Sequence, residues 1–434
     1  MRRIVVSICL AFVILLQAGC GKDVPVVMGT GSYRDNGVTI TDRGSYYDVV
    51  LDFTGGLTHR QIGEALAKGI LAVVPNYEFL IDSYVSENIT KYEYPYALFR
   101  VEDIKPQIDK DYQDELEGMA SVFSGGDRNL WKDDKISRDE VFLFNLFPDV
   151  IRNTQCSYVS VFGSRSSTGR NITARNLDWY SGSRNQLPLL NCVTTYKFED
   201  KELCSIGFLG FMGVITGIND SKVFAGIMDS QTGQAYDSAG KRSYVFDLRH
   251  ALEKTGTIPD AAGYLLDPLK HYAVNYIVVF SDPEEGAVLE NNISGIGVGS
   301  QRTKRALRET DSKLNEGISW GIDDSIGCVN SFMLYGNHDN HTRNRYNTLR
   351  WNNMKTQLMA KGPEVTADEL KEVITYKKHS RPGTFSESGD LYNRMTLQTI
   401  LFQPYDLALE VFFHPRDTKN DPEKPAFEKI PLFR

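Results

Sequence analysis

At Cys156 the chain changes texture, and that change constrains the fold more than any other feature. Before it, apolar residues recur at helical spacing. "THRQIGEALAKGILAVVPNYEFLIDSYV" opens on a Thr58-x-x-Gln61 capping box, and "SRDEVFLFNLFPDVI" opens on a second, Ser137-x-x-Glu140. Between them, "KDYQDELEGMASVFSGG" gives a further helical region over 110–126. After Cys156 come short alternating runs broken by Gly, Asn, Asp and Ser: "CSYVSVFG", "NITARNLDW", "LLNCVTTYKF", "ELCSIGFLGF", "VITGI" and "VFAGIM". These predict strands joined by hairpins. Helices return over 244–256, at "IPDAAGYLLDPLKH" and around 343–360, with strands at "NYIVVFSD", "GAVLENN" and over 394–414. Helices before and after a large antiparallel sheet in the sequence predict a layered α+β fold.

The first twenty residues, "MRRIVVSICLAFVILLQAGC", combine two arginines with an apolar run from Ile4 to Leu16. That run is too short to span a bilayer and reads as a signal peptide. Its end, Gln17-Ala18-Gly19-Cys20, resembles a bacterial lipobox, with Gln17 where Leu is usual. The resemblance implies a lipid on Cys20 and an exported protein anchored at the outer membrane, periplasmic face or cell surface. Plain cleavage that leaves a free cysteine is the alternative. We expect a signal peptide over 1–20, a tether over 21–45 leading into the strand "YYDVVLDF", a mostly helical part over 46–155 and a main core over 156–434. A formal net charge of −8 argues against a nucleic-acid partner.

The six cysteines contain no CxxC, and the seven histidines contain no HExxH. "GGDRNLWKDDKISRDE" (125–140) is acidic but lacks the ligand alternation of a calcium loop, and "GNHDNH" (336–341) reads as a polar turn. No metal or cofactor is expected. Cys192 and Cys204 lie on neighbouring predicted strands and could pair, though nothing in the sequence fixes it.

Cys156 starts a hairpin. With a turn near Ser166–Ser167, residues 177 and 178 return opposite Cys156, and Arg175 returns opposite Tyr158 or Val159. One hairpin thereby brings a guanidinium and the Asp178 carboxylate towards one thiol. A nucleophilic thiol needs a base or a lowered pKa. No histidine is near in sequence. An α-amino group on the same residue, with a free pKa of about 7.7–8.0, would serve. That requires the Gln155–Cys156 bond to be cut, by attack of the thiol on the Gln155 carbonyl.

The sequence resembles the N-terminal-nucleophile (Ntn) cysteine hydrolases, in the branch of acid ceramidase, N-acylethanolamine acid amidase and acyl-CoA:isopenicillin-N acyltransferase. Choloylglycine hydrolases and penicillin V acylases are more distant. "DELEGMASVFSGG" resembles a propeptide helix of that branch, and "FNLFPDVIRNTQC" the lead-in to its nucleophile. "ARNLDWY" is similar to its Arg-Asn-Leu-Asp motif, which implies Arg175 and Asp178 as active-site residues. "GFLGFMGVITGINDSKVFAGIMDS", "DLRHALEKTGTIPDAAGYLL" and "NYIVVFSDPEEGAVLE" resemble the segments that follow. "CVNSFML" implies Asn330 as an oxyanion donor, and "HTRNRYNTL" a distal arginine, Arg345 fitting slightly better than Arg343. Departures at Lys222-Val223-Phe224, Met228 and Ser331 bear on substrate choice rather than on the nucleophile.

The resemblance implies a four-layer αββα sandwich of antiparallel sheets with a helical propeptide. It also implies self-cleavage into an α-chain and a β-chain beginning at Cys156, which stay together as a heterodimer. The expected reaction is hydrolysis of a linear amide in a small-molecule N-acyl amide with an apolar acyl group, through an acyl-thioester. Acyl transfer, a bile-salt or penicillin V amidase, and an inactive lipid-anchored binding protein remain open beside it. So does a histidine-dependent cysteine protease. The backbone oxyanion donor is sought around Ile227–Asp229.

Overall fold

In the computed structural model, which describes residues 29–151, 155–230, 236–292, 305–337, 344–379, 389–417 and 422–433, the chain enters through a hairpin. Strands β1 (Ser32–Asp35) and β2 (Val38–Asp42) turn through Asn36 and Gly37, both at positive φ, and β3 (Tyr47–Asp52) follows. The tether expected over 21–45 therefore needs correction at its C-terminal part. Val38 and Ile40 of β2 alternate into the core, so this stretch is part of the ten-stranded sheet, with β1 as its exposed edge strand.

Helices α1 (His59–Val73), α2 (Tyr77–Asn88), α3 (Tyr94–Ile104), α4 (Lys110–Ala120), α5 (Arg138–Asn145) and α6 (Phe147–Val150) come next. Both expected capping boxes form, at Thr58/Gln61 and Ser137/Glu140. Helices α1 and α4 approach closely through glycine. A Cβ on Gly63 would lie 2.0 Å from Glu115 O, and one on Gly118 would lie 2.1 Å from Arg60 O.

The chain continues as β4 (Gln155–Val161), β5 (Ile172–Asp178), α7 (Gln186–Leu189), β6 (Asn191–Lys197), β7 (Glu202–Phe208), β8 (Thr216–Asn219) and β9 (Phe224–Asp229). Helices α8 (Tyr244–Lys254) and α9 (Ile258–Leu266) lead to β10 (Tyr276–Ser281), β11 (Gly286–Asn291), β12 (Arg305–Arg308) and β13 (Ser325–Val329). Then come α10 (Arg345–Met359), α11 (Ala367–Ile374), β14 (Thr396–Gln403), β15 (Ala408–Phe413) and β16 (Glu428–Ile430).

Among the described residues the main sheets are a ten-stranded one, β1-β2-β3-β6-β7-β8-β9-β10-β11-β12, and a six-stranded one, β13-β4-β5-β14-β15-β16. Their pairings are antiparallel except β3 with β6. The sheets face each other. Tyr158 of β4 donates to Phe280 O of β10 at 2.6 Å, Gln398 of β14 donates to Gly207 O of β7 at 3.0 Å, and Phe224 stacks on Phe402. On the far side of the smaller sheet, Val159, Val161, Ile172 and Ala174 pack with Trp351 of α10 and Val373 of α11. On the far side of the larger one, α1, α4 and α8 cover the strands, with Asn219 of β8 donating to Leu252 O of α8 at 3.0 Å. The chain is α+β, and these contacts run helix, sheet, sheet, helix.

The part before Cys156 is built into this core. Beyond the β3–β6 pairing, buried Arg249 of α8 ion-pairs with buried Glu115 of α4, lies over the rings of Tyr112 and Tyr196, and also binds Glu253. Residues before and after Cys156 thus share one ion cluster, and breaking such a buried pair costs about 3–5 kcal/mol.

Candidate active site

Strand β4 alternates its side chains, so Cys156 and Tyr158 face the ten-stranded sheet while Ser157 and Val159 face α10 and α11. The β4–β5 register sets Cys156 opposite Leu177, Gln155 opposite Asp178 and Tyr158 opposite Arg175. Arg175 therefore lies on the same face as Cys156, two residues along the pair.

The thiol is fully buried. Arg175 Nη2 is 3.7 Å from Sγ and donates to Ile227 O of β9 at 2.6 Å, while Nη1 donates to Thr216 Oγ1 of β8. Sγ itself lies 3.9 Å from Ile227 O. The guanidinium passes between the sheets over Gly226, where a Cβ would come 2.6 Å from Arg175 Nε. Glycine at 226 is what leaves room for it.

Asn330 follows β13 and reaches the same point from the other neighbour of β4. The backbone N–H of Cys156 donates to Asn330 Oδ1 at 2.8 Å, and Asn330 Nδ2 donates to Asp229 O at 2.6 Å. Its own carbonyl accepts from Asn347 of α10 at 2.8 Å. Asp178 accepts from Thr396 Oγ1 at 2.7 Å and from Asn393 Nδ2 at 2.8 Å.

Burial pushes the Cys156 thiol above its ordinary value and the Asp178 charge adds to that; the Arg175 and Arg350 charges and a backbone hydrogen bond from Asp178 oppose the rise without cancelling it. In the uncut chain the resting group is a thiol. Burial also pushes Asp178 up to about 6, against Arg350 and the donors from Thr396 and Asn393.

Of the residues expected at the site, the structure brings Gln155, Cys156, Arg175, Asp178 and Asn330 together. Arg345 it does not: it is the exposed first residue of α10. Arg343 and Cys20 lie outside the described residues. The second arginine at the site, beside Arg175, is Arg350, which the sequence reading missed. Fully buried, it donates to Cys156 O at 2.6 Å, Asn330 Oδ1 at 2.9 Å, Asn347 Oδ1 at 2.7 Å and Ser157 Oγ at 3.2 Å. The signal was available in helical periodicity. Asn347, Arg350, Trp351, Met354 and Leu358 make one buried stripe, and Arg345 stands roughly opposite Asn347, two residues away at ~100° each.

Ile227 borders the thiol, and Ile227 and Asp229 present carbonyls to Arg175 and Asn330 respectively. Cys192 and Cys204 are unbonded; they lie opposite Gly207 and Thr195 rather than each other. No group of three or more candidate metal ligands occurs among the described residues.

No protein-family model and no curated protein matches the chain. Solved structures that align with it include a Caenorhabditis elegans N-acylethanolamine-hydrolyzing acid amidase ortholog, at 15% identity and TM-score 0.42 over 64% of this chain and 100% of that one. Penicillin V acylase from Agrobacterium tumefaciens aligns at 11% identity and TM-score 0.36, over 63% of this chain and 90% of that one. A mutant of conjugated bile acid hydrolase from Clostridium perfringens aligns at 12% identity and TM-score 0.35, over 64% of this chain and 97% of that one. At these identities and scores the likeness assigns neither a residue nor an activity to this chain, whose chemistry rests on its own geometry.

Proposed function

We propose that this protein is a cysteine amidohydrolase that cuts its own chain at Gln155–Cys156 and then uses the freed Cys156 on N-acyl amides. One observation carries the reading. A single sulfur lies beside Arg175, and the backbone nitrogen of the same residue is held by Asn330. A thiol and its own nitrogen, each with a fixed partner, are what an N-terminal nucleophile needs.

In the first event the thiol adds to the Gln155 carbonyl carbon. The C–N bond to Cys156 breaks, the nitrogen takes up the proton given by the thiol, and water hydrolyses the thioester. The products are a Gln155 carboxylate, a free thiol and an α-amine. That amine, with a pKa of about 7.7–8.0 when free, then takes the thiol proton, a base the uncut chain lacks.

In turnover the thiolate adds to the substrate carbonyl. Asn330 Nδ2, released from Asp229 O, stabilises the oxyanion. The α-ammonium protonates the leaving amine, and water resolves the acyl-thioester. Arg175 stabilises the thiolate, and Asp178 with Arg350 sets the field around it. The substrate is a small N-acyl amide with an apolar acyl group.

The lipobox-like end at Cys20 supports export and lipid anchoring. Among the described residues no helix is long and apolar enough to cross a membrane. Incubating the wild-type chain and Cys156→Ala with a panel of fatty-acyl amino acids, acylethanolamides and penicillin V tests the activity. Hydroxylamine added during turnover should intercept the acyl-thioester, releasing the acyl hydroxamate and freeing the Cys156 thiol. Turnover that survives Cys156→Ala would overturn it.

A further inference from the structure

Away from Cys156, the buried arginines pair with carboxylates: Arg249 with Glu115 and Glu253, and Arg308 with Glu290. Arg175 is held differently. It is fully buried, and among the described residues its bonds go to two neutral oxygens and the sulfur. Nη2 donates to Ile227 O at 2.6 Å and lies 3.7 Å from Cys156 Sγ, Nη1 donates to Thr216 Oγ1, and Nε has no acceptor. A buried cation held by neutral acceptors keeps its charge for an anion formed beside it, and here that anion is the thiolate of Cys156.

Strands β8 and β9 build the seat for this group. Thr216 of β8 lies directly opposite Gly226 of β9, so its hydroxyl and the missing side chain are neighbours on one face of the sheet. A Cβ at Gly226 would come 2.7 Å from Arg175 Cδ and 2.6 Å from Nε. The arginine therefore crosses over Gly226 and ends on Thr216. Ile227 O is backbone and holds one nitrogen, about which a planar guanidinium still turns. The bond from Nη1 to Thr216 fixes the plane. Thr216 Oγ1 is the one side-chain oxygen bonded to Arg175 among the described residues, and it is fully buried.

We propose that Thr216 is a positioning residue of the reaction: its hydroxyl, beside the space left by Gly226, aims the Arg175 guanidinium at the Cys156 sulfur. The inference rests on Cys156 being the nucleophile, as read above. Sγ has its contacts with Arg175 and Ile227, and Thr216 acts through the first of them.

The test reads the rate at which iodoacetamide alkylates Cys156 from about pH 5 to about pH 10 in wild type, Thr216→Val, Thr216→Ala and Thr216→Ser. Cut and whole chains are read separately, on the peptide that carries Cys156. Thr216→Val keeps the shape of the side chain and removes the hydroxyl. Its rate profile should move up by about one pH unit, so that alkylation near pH 7 is roughly tenfold slower. On an N-acyl amide, kcat should fall by a similar factor with KM held. Thr216→Ser, which keeps the hydroxyl, should stay within about twofold of wild type on both readouts. Thr216→Ala should shift the profile in the same direction as Thr216→Val, and it decides the matter if Thr216→Val does not fold. The other ionisable side chains around the sulfur, Asp178 on β5, Arg350 on α10 and Cys328 on β13, are the same in every variant. A wild-type profile in either hydroxyl-free variant that folds would overturn the inference, even with a lower Tm or kcat, since that marks a packing role alone. A Thr216→Ser profile shifted as far as that of Thr216→Val would overturn it too. A wild-type protein that cleaves no N-acyl amide would instead overturn the amidohydrolase reading, and the alkylation profiles decide on Thr216 in that case as well.

Discussion

The amide of Cys156 and the side chain of Asn330 are bonded across the β13–β4 edge at 2.8 Å, although 174 residues separate them. Asn330 Oδ1 is shared with Arg350, and its Nδ2 is spent on Asp229 O. Removing this side chain leaves two buried donors unpaired, at a cost of about 1–3 kcal/mol each. Asn330→Ala should lower kcat by roughly 10²–10³ through the lost oxyanion donor. Steady-state kinetics on cut enzyme check it, with KM expected to change little.

Arg350, not Arg345, should carry the arginine function. Arg350→Met strips donors from Cys156 O, Asn330 Oδ1 and Asn347 Oδ1 at once, and activity should fall by at least ~10²-fold. Arg345→Ala, on the exposed end of α10, should stay within about twofold of wild type. Parallel assays of the two variants decide between them.

Gly226→Ala should act on the site without touching a chemical group. The new methyl would fall 2.6 Å from Arg175 Nε, so the guanidinium must move from between the sheets. Overpacking of this kind costs about 1–3 kcal/mol. The expected signature is a lowered Tm together with slower alkylation of Cys156, because Arg175 no longer favours its thiolate.

Glu290 should matter through the loop after Asn330. Its buried carboxylate accepts from Met333 N at 2.8 Å, Leu334 N at 3.1 Å and Asn337 Nδ2 at 2.8 Å, and pairs with Arg308. Glu290→Gln replaces an acceptor by a donor facing those N–H groups. A fall in kcat with KM held, and a lower Tm, are expected.

Stability should decline from pH 5 to pH 8. Burial pushes Asp149 up to about 7, and Asp82 and Asp178 up to about 6, from an ordinary 3.8. Between about pH 4 and 7 the folded chain therefore binds more protons than the unfolded one, and stability falls as pH rises through that window. At lower pH the opposite sign takes over. Burial alone would raise Glu115, but Arg249 and His59 hold it below its usual range, a contribution lost on acidification. Thermal melts of Cys156→Ala across pH should peak on the acid side of neutral, and Asp149→Asn should flatten the decline. A Tm that rises from pH 5 to pH 8 would contradict this.

The α+β class was legible because helical and strand periodicities fall in distinct segments on both sides of Cys156. The hairpin was legible to within one residue, with 177 or 178 opposite Cys156 and Arg175 opposite Tyr158 or Val159; the structure sets Cys156 opposite Leu177 and Arg175 opposite Tyr158. What sequence could not place were contacts set by the facing of two sheets. The bond from Arg175 to Ile227 O and the close approach to Gly226 depend on how the sheets stack. The β1–β2 hairpin was missed because its few polar residues and Gly37 read as a linker, while only Val38 and Ile40 record its burial. Arg350 was missed because the motif drew the eye to the start of α10, whereas the buried stripe of that helix begins at Asn347.

The central claim is that Cys156 becomes an N-terminus by its own chemistry. Intact-mass measurement of the full chain purified as wild type and as Cys156→Ala tests it most directly. The account predicts that wild type resolves into two fragments on denaturation, the second beginning at Cys156, while Cys156→Ala remains one chain. A wild-type chain of undivided mass, or a Cys156→Ala chain cut at the same bond, would contradict it.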